Sequence, residues 1–109
     1  MFTEQKFKTV AIIGGGLIGS SLAHSIRENH LCDNLRIFDS KTDVRKKLKE
    51  IFSSHEICEN LNETVTEADL VFLCVPVGSM RDLAKKISNL LKKGCILTDT
   101  GSTKNSVIK

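Results

Sequence analysis

The chain contains no tryptophan and no tyrosine, and phenylalanine occurs five times. Proteins that grip single-stranded nucleic acid stack the bases on aromatic platforms. The scarcity of such rings argues against that class, and no nucleic-acid partner is expected. An excess of one charge is also missing. Sixteen Lys and Arg against thirteen Asp and Glu leave +3 over 109 residues, too little to imply a polyanion. The lysines are scattered over helix faces, which is the pattern of solvated surface. No apolar run approaches the ~20 residues that span a bilayer. The opening Met1-Phe-Thr-Glu-Gln-Lys6 has neither an apolar core nor a small-residue cleavage site. A cytoplasmic protein with no membrane contact is expected. The four cysteines, Cys32, Cys58, Cys74 and Cys95, form no CxxC pair and have no zinc-type spacing to histidine. They read as reduced thiols with no metal among them, and Cys74 and Cys95 as small hydrophobes within apolar runs.

What is present suits one soluble domain with a modest core: 109 residues, 40% hydrophobic and 27% charged. Its organising stretch is Val10-Ala-Ile-Ile-Gly-Gly-Gly-Leu-Ile-Gly19. Residues 8–13 read as a buried strand. The strand runs into Gly14-x-Gly16-x-x-Gly19, and an amphipathic helix over 17–28 follows at once. In that context each glycine has a physical task. Gly14 permits the tight turn, Gly16 lets a pyrophosphate approach the backbone, and Gly19 lets the helix lie close to the strand. Gly15 carries no separate signal. The N–H groups at the start of the helix, those of Leu17 and Ile18 included, then face the phosphates with the positive end of the helix dipole. Asp39 ends the next apolar run, Leu35-Arg-Ile-Phe-Asp39. A carboxylate there accepts hydrogen bonds from an adenosine ribose and repels a 2′-phosphate. NAD is therefore expected over NADP, although Ser40 and Lys41 could tolerate the phosphate if the carboxylate turned away.

Along the rest of the chain strands and helices alternate. Ile18, Leu22 and Ile26 form the expected buried stripe of the first helix. Ser40-Lys-Thr-Asp43 has capping-box spacing and opens a second helix. Its apolar face is Val44, Leu48, Ile51 and Phe52, and its wet face is Arg45, Lys46, Lys47, Lys49 and Glu50. A short third strand is expected near 55–58. Thr64-Val-Thr-Glu67 suggests a capped helical turn. The run Leu70-Val-Phe-Leu-Cys-Val75 is apolar on both faces, as in the middle of a parallel sheet, and Pro76 ends it. Ser79-Met-Arg-Asp82 caps a helix reaching Lys93, with a stripe of Met80, Leu83, Ala84, Ile87, Leu90 and Leu91 and a C-cap at Gly94. A fifth strand spans 95–98, a polar loop 99–104, and the first turn of a further helix 106–109. The fold class is an open, doubly wound parallel α/β sheet of Rossmann type, with expected strand order 3-2-1-4-5. Such sheets bind ligands outside the carboxyl ends of the strands, where the strand order reverses. The loops 14–19, 75–79 and 99–104 converge there.

Three stretches together resemble the cofactor domain of prephenate/arogenate dehydrogenases: Gly14-Gly-Gly-Leu-Ile-Gly-Ser-Ser-Leu-Ala23, Asp69-Leu-Val-Phe-Leu-Cys-Val-Pro-Val-Gly78 and Thr98-Asp-Thr-Gly-Ser-Thr-Lys104. The last is the most telling. The resemblance implies an NAD- or NADP-dependent oxidative decarboxylation, in which a ring carbon loses hydride, carbon dioxide departs and the ring becomes aromatic, on the way to tyrosine. It implies that Ser102 hydrogen-bonds the substrate hydroxyl and the catalytic histidine. It also implies that Val75 and Pro76 line the nicotinamide-ribose side. The family's His-Pro segment and its helical domain for substrate binding and dimerisation have no counterpart among these residues, and His24, His30 and His55 do not stand in that context. The expectation is thus a cofactor-binding portion, inactive alone, which meets prephenate or arogenate only together with that further part. Its last strand is expected to be an exposed edge that a partner chain or a second copy covers. A stand-alone nucleotide-binding module, a remnant without function, or another dehydrogenase of the β-hydroxyacid or pyrroline-carboxylate type are the alternatives.

Overall fold

A computed structural model describes residues 7–99. Four parallel strands, β1 (Phe7–Ile13), β2 (Cys32–Phe38), β3 (Leu70–Leu73) and β4 (Ile96–Asp99), form one sheet in the order β2-β1-β3-β4. The helices α1 (Leu17–Glu28), α2 (Thr42–Ile51), α3 (Leu61–Val65) and α4 (Val77–Ser88) lie between them in sequence. β1 is central because it can be buried on both faces. Val10 and Ile12 point into a core with Ala23 and Ile26 of α1, Leu48 of α2, and Leu35 and Ile37 of β2. Ala11 and Ile13 point the other way, into a core with Val65, Val71, Leu73 and Ile87. The period-2 alternation of a strand thus turns one apolar run into the floor of two cores. Each fully buried isoleucine here contributes about 1.5–3 kcal/mol.

The sheet is the expected one, less a strand. Residues 55–58 do not extend it. Ser54–Glu56 form a 3-10 turn, and Ile57 makes an isolated parallel bridge to Ile37 on the outer edge of β2. The reason is local. Ser53 and Glu56 close a reciprocal capping box, Glu56 accepting from the Ser53 N–H at 3.0 Å. That curls the chain where a strand would have to stay extended.

Several boundaries also move. β2 starts at Cys32, ahead of the apolar run that begins at Leu35, and stops at Phe38, so Asp39 lies just beyond it. Ser40 does not cap α2, whose N-cap is Lys41 without a side-chain bond. Thr64 caps nothing, since Asn60 caps α3 by accepting from the Glu63 N–H at 2.7 Å. β3 ends at Leu73, and α4 opens at Val77 with Pro76 as N-cap rather than Ser79. Proline suits a helix start because it has no N–H to satisfy. α4 ends at Ser88, and Leu90 and Leu91 complete its apolar stripe from the turn beyond. Gly94 is not its C-cap, and supplies a left-handed φ of 89° in the turn before β4. Ile18 and Ile51, expected in the buried stripes, are 57% and 52% exposed. α1 instead packs through Gly19, Leu22, Ala23 and Ile26. β4 is one edge of the sheet among the described residues, opposite β2, with Ile96 and Leu97 exposed on it.

Candidate functional site

The strand order reverses between β1 and β3, which lead to helices on opposite faces of the sheet. At their carboxyl ends Cys74 N–H donates to the Ile13 carbonyl at 2.8 Å, and Gly14 N–H donates to the Phe38 carbonyl at 2.7 Å. The glycine turn is therefore tied to both neighbours of β1. Its three motif glycines are there for three different reasons. Gly14 has φ +105°, and a Cβ on it would run into the Cys74 carbonyl oxygen and lie 3.2 Å from Val75 Cγ1. A Cβ on Gly19 would run into the Gly14 carbonyl oxygen and lie 3.6 Å from Ile12 Cγ2. Both positions are closed by the protein's own backbone. A Cβ on Gly16 would meet nothing within 4 Å. The space that a side chain would take at Gly16, the N-cap of α1, is open.

That helix start is left without an internal partner for an anion. Gly16 is its N-cap, no side chain caps it, and no acidic residue stands in its first turn. The first N–H groups of a helix have no intrahelical acceptor. The N-terminus of α4, on the other side of the β1–β3 switch, also lacks an acidic residue and a side-chain cap. α2, which begins just past Asp39, and α3 carry Asp43 and Glu63 in their first turns. The two helices that follow the central strands β1 and β3 thus keep their dipole starts uncompensated, whereas α2 and α3 have an acid in theirs.

Asp39 sits at the mouth of the glycine turn. Its Oδ2 accepts from the Gly15 N–H at 2.9 Å and its Oδ1 from the Lys41 N–H at 2.9 Å. A carboxylate has about four acceptor positions, so two bonds orient the group and leave capacity for a diol. Gly15 is the residue that sequence reasoning passed over. Its amide joins the loop to Asp39, and a Cβ on it would lie 2.5 Å from Leu48 Cδ1. Ser20 adds a brace, its hydroxyl donating to the Gly15 carbonyl at 3.0 Å. Leu17 and Ile18 expose their side chains at 85% and 57%, beside the open space. Val75 is half-buried next to Gly14, and Pro76 is exposed and accepts from the Ser79 N–H at 2.9 Å. Gly14, Gly16, Leu17, Ile18, Gly19, Asp39, Val75 and Pro76 thus gather at one end of the sheet. Ser102 lies outside the described residues.

The histidines are elsewhere. His24 packs at a 40° tilt against Phe52 with ring centres 4.8 Å apart, His30 follows the end of α1, and His55 is in the 3-10 turn. None of the four cysteines is in a disulfide. Burial pushes the Cys58 and Cys95 thiols up, which keeps them protonated near neutral pH. No group of three metal-ligating side chains occurs among the described residues, and no described helix is long and apolar enough to cross a membrane.

Known proteins agree with this geometry. The family model described as "Prephenate dehydrogenase, nucleotide-binding domain" matches residues 22–109. A cyclohexadienyl dehydrogenase of Zymomonas mobilis is 41% identical over 103 residues, covering 94% of this chain and 35% of that protein. A Synechocystis arogenate dehydrogenase superposes with TM-score 0.78 at 26% identity, over 93% of this chain and 35% of the other. The prephenate dehydrogenase of Aquifex aeolicus, solved with hydroxyphenyl propionate and NAD+, superposes with TM-score 0.77 at 28% identity, over 87% of this chain and 34% of the other. The chain therefore spans about a third of the length of these relatives. It belongs to the prephenate dehydrogenase family, as a nucleotide-binding domain of that family.

Proposed function

We propose that this chain binds NAD across the β1–β3 crevice and serves as the cofactor-binding part of an oxidative decarboxylase acting on prephenate or arogenate. The observation that carries the site is the contrast among the glycines. Two are closed by backbone, and the third, Gly16, borders open space beside a helix start with no cap and no acid. A diphosphate fits that cradle, since its charge is met by amides and a dipole rather than by a salt bridge. The N–H groups at Leu17, Ile18 and Gly19 would hold it. Asp39 would accept from the adenosine ribose diol and repel a 2′-phosphate, which favours NAD over NADP. Val75 and Pro76, at the end of β3, would line the nicotinamide-ribose side.

When bound, the nicotinamide supplies a hydride acceptor. By resemblance Ser102 would hydrogen-bond the substrate hydroxyl and orient a histidine contributed from outside these residues. A general base must come within hydrogen-bond reach of the proton it takes, and none of His24, His30 and His55 is at the carboxyl ends of the strands. Turnover therefore requires the further two thirds found in the relatives, and that part would also cover the β4 edge with its exposed Ile96 and Leu97. A cytoplasmic location follows from the need for NAD and reduced thiols.

Calorimetric titration with NAD, NADP and ATP tests the site. Wild type binds NAD in preference to the other two. Gly16→Val lowers NAD affinity at least about 100-fold with no loss of folded structure, because the new side chain fills only the cradle. Asp39→Ala abolishes the preference over NADP. Equal NAD binding by wild type and Gly16→Val would rule out the glycine-loop site. Conversion of prephenate or arogenate by the chain alone would overturn the assignment of chemistry to residues outside it.

A further inference from the structure

Arg45 belongs to the charged run of α2 that looks like a wet helix face, yet its side chain is only 15% exposed. It folds back over the end of β2. Nη1 donates to the Asp39 carbonyl oxygen at 2.7 Å and Nη2 to Thr42 Oγ1 at 3.3 Å. The guanidinium carbon stands 5.6 Å from the centre of the Phe38 ring. Its buried Nε has no hydrogen-bond partner and lies 3.4 Å from Glu59 Oε1, an ion pair without a formed hydrogen bond. Glu59 is held in turn by Lys49, whose Nζ donates to Oε2 at 2.8 Å. The Lys49 hydrogen bond, with the Lys49 and Arg45 charges, keeps the Glu59 carboxyl below its ordinary range, so it stays an anion. The guanidinium is thus held by the protein through two hydrogen bonds, one of them to the backbone of Asp39, and through the ion pair with Glu59.

This arrangement bears on the choice between two cofactors. A guanidinium is the side chain best shaped to take a phosphate, through a planar fork of donors. An arginine near the end of the second strand is how this fold accommodates a 2′-phosphate. Here that fork points at a backbone carbonyl, a threonine and a glutamate. The same bond to the Asp39 carbonyl pins the backbone of the residue whose carboxylate reaches Gly15. We propose that Arg45 is a positioning residue for cofactor discrimination and that Glu59 holds it in that role. Together they fix the turn from β2 into α2, so that Asp39 presents its carboxylate to a ribose diol, and they deny the guanidinium to a 2′-phosphate. The proposal rests on the reading of the crevice as an NAD site.

Wild type, Glu59→Gln, Arg45→Ala, Arg45→Lys and the double variant Arg45→Ala/Glu59→Gln are titrated with NAD and with NADP, and unfolding midpoints are measured on the same samples. Glu59→Gln shifts the affinity ratio about tenfold toward NADP, the size of one charge-assisted hydrogen bond. Arg45→Ala and Arg45→Lys lower NAD affinity about tenfold by loosening Asp39. Glu59 is exposed, and lysine keeps the charge and the stem of Arg45, so these two variants retain a fold to test. In the Arg45→Ala background, Glu59→Gln changes the ratio no further, because the group it restrains is gone. A merely structural role would move the unfolding midpoint and leave the ratio alone. Ratios unchanged in Glu59→Gln and Arg45→Lys overturn the proposal, as does a gain in NADP affinity that persists without Arg45. Wild type that binds NAD while the variants keep its ratio overturns this inference alone; wild type that binds neither nucleotide overturns the site itself.

Discussion

Two aspartates at opposite ends of the sheet do opposite work with similar bonds. Asp39, beyond the carboxyl end of β2, accepts from the amides of Gly15 and Lys41. Asp69, before the amino end of β3, accepts from the amides of Lys8 and Thr9 at 3.0 and 2.9 Å. The difference is the cation. Asp69 Oδ1 also pairs with Lys92 Nζ at 2.6 Å, while no side-chain cation among the described residues pairs with the Asp39 carboxylate. Asp69 has its charge paired and stitches β1, β3 and the approach to β4 together. Asp39 is oriented but left with acceptor capacity at a crevice flanked by two uncompensated helix starts. Charge closed from within marks the scaffold end, and charge left open marks the ligand end.

The strongest way to break that contrast is to substitute glycines of the same loop. Gly14→Ala and Gly19→Val put a Cβ against backbone carbonyl oxygens, and Gly14 must also hold φ +105°. Backbone cannot move aside as a flexible side chain can, so each costs at least about 3 kcal/mol in unfolding free energy. Gly16→Val, in open space, stays within about 1 kcal/mol of wild type. Denaturant titration of the three variants checks this. If Gly16→Val unfolds as readily as Gly19→Val, the open space beside Gly16 is part of the scaffold and the contrast fails.

The ligand end was the more legible of the two. Strand, glycine spacing, helix and Asp39 are consecutive or nearly so, and local periodicity suffices to read them. What escaped reading was tertiary. Gly15 shows its role only once Leu48 and Asp39 are brought beside it. Arg45 sits in a run with Lys46 and Lys47 that differs from them only in facing Phe38. The capping boxes make the same point. Ser40 and Thr64 carried the right spacing and cap nothing, whereas Ser53-Ser-His-Glu56 formed one, and it turned an expected strand into a single bridge. A cap motif states what a side chain can do, and the packing of the neighbouring apolar residues decides where the helix begins. Pro76 shows the reverse case: expected to end the run of β3, which already stops at Leu73, it serves instead as the N-cap of α4.

The scaffold end is tested through pH. The hydrogen bond from Lys92, followed by that from the Thr9 amide, holds the Asp69 carboxyl below its ordinary value of 3.8. The hydrogen bond to Asp69 raises Lys92 above its ordinary 10.5. A depressed carboxylate contributes stability that is present above its unfolded value and is lost as pH falls through the folded one. A raised lysine contributes stability that is present below its unfolded value and is lost as pH rises through the folded one. Asp69→Asn therefore unfolds at lower denaturant than wild type throughout the neutral range. The gap narrows below about pH 4 and again in strong alkali. Asp69→Asn leaves the NAD-to-NADP ratio unchanged, since the residue lies at the other end of the strands. A stability gap that persists undiminished at pH 2.5 would show that Asp69 acts through packing rather than charge.

A gain at the scaffold end sharpens the contrast further. α1 ends in a reciprocal pair of bonds, His30 N–H to the Arg27 carbonyl at 3.2 Å and Leu31 N–H to the Ile26 carbonyl at 3.1 Å. That pattern is a Schellman close, which places the residue after the C-cap in the left-handed region. His30 occupies it with φ 51°. A left-handed residue with a Cβ costs about 1–2 kcal/mol, and glycine there gives back part of that through the greater freedom of its unfolded chain. His30→Gly should stabilise the protein by roughly 0.5 kcal/mol, seen as a higher unfolding midpoint at unchanged slope. NAD affinity should not move, because the substitution relieves a strain that belongs to the close of α1 and not to its phosphate-facing start. A loss of stability would mean that His30 makes compensating contacts through its ring. A change in affinity would mean that the two ends of α1 are coupled, and that the division between scaffold and ligand ends does not hold along this helix.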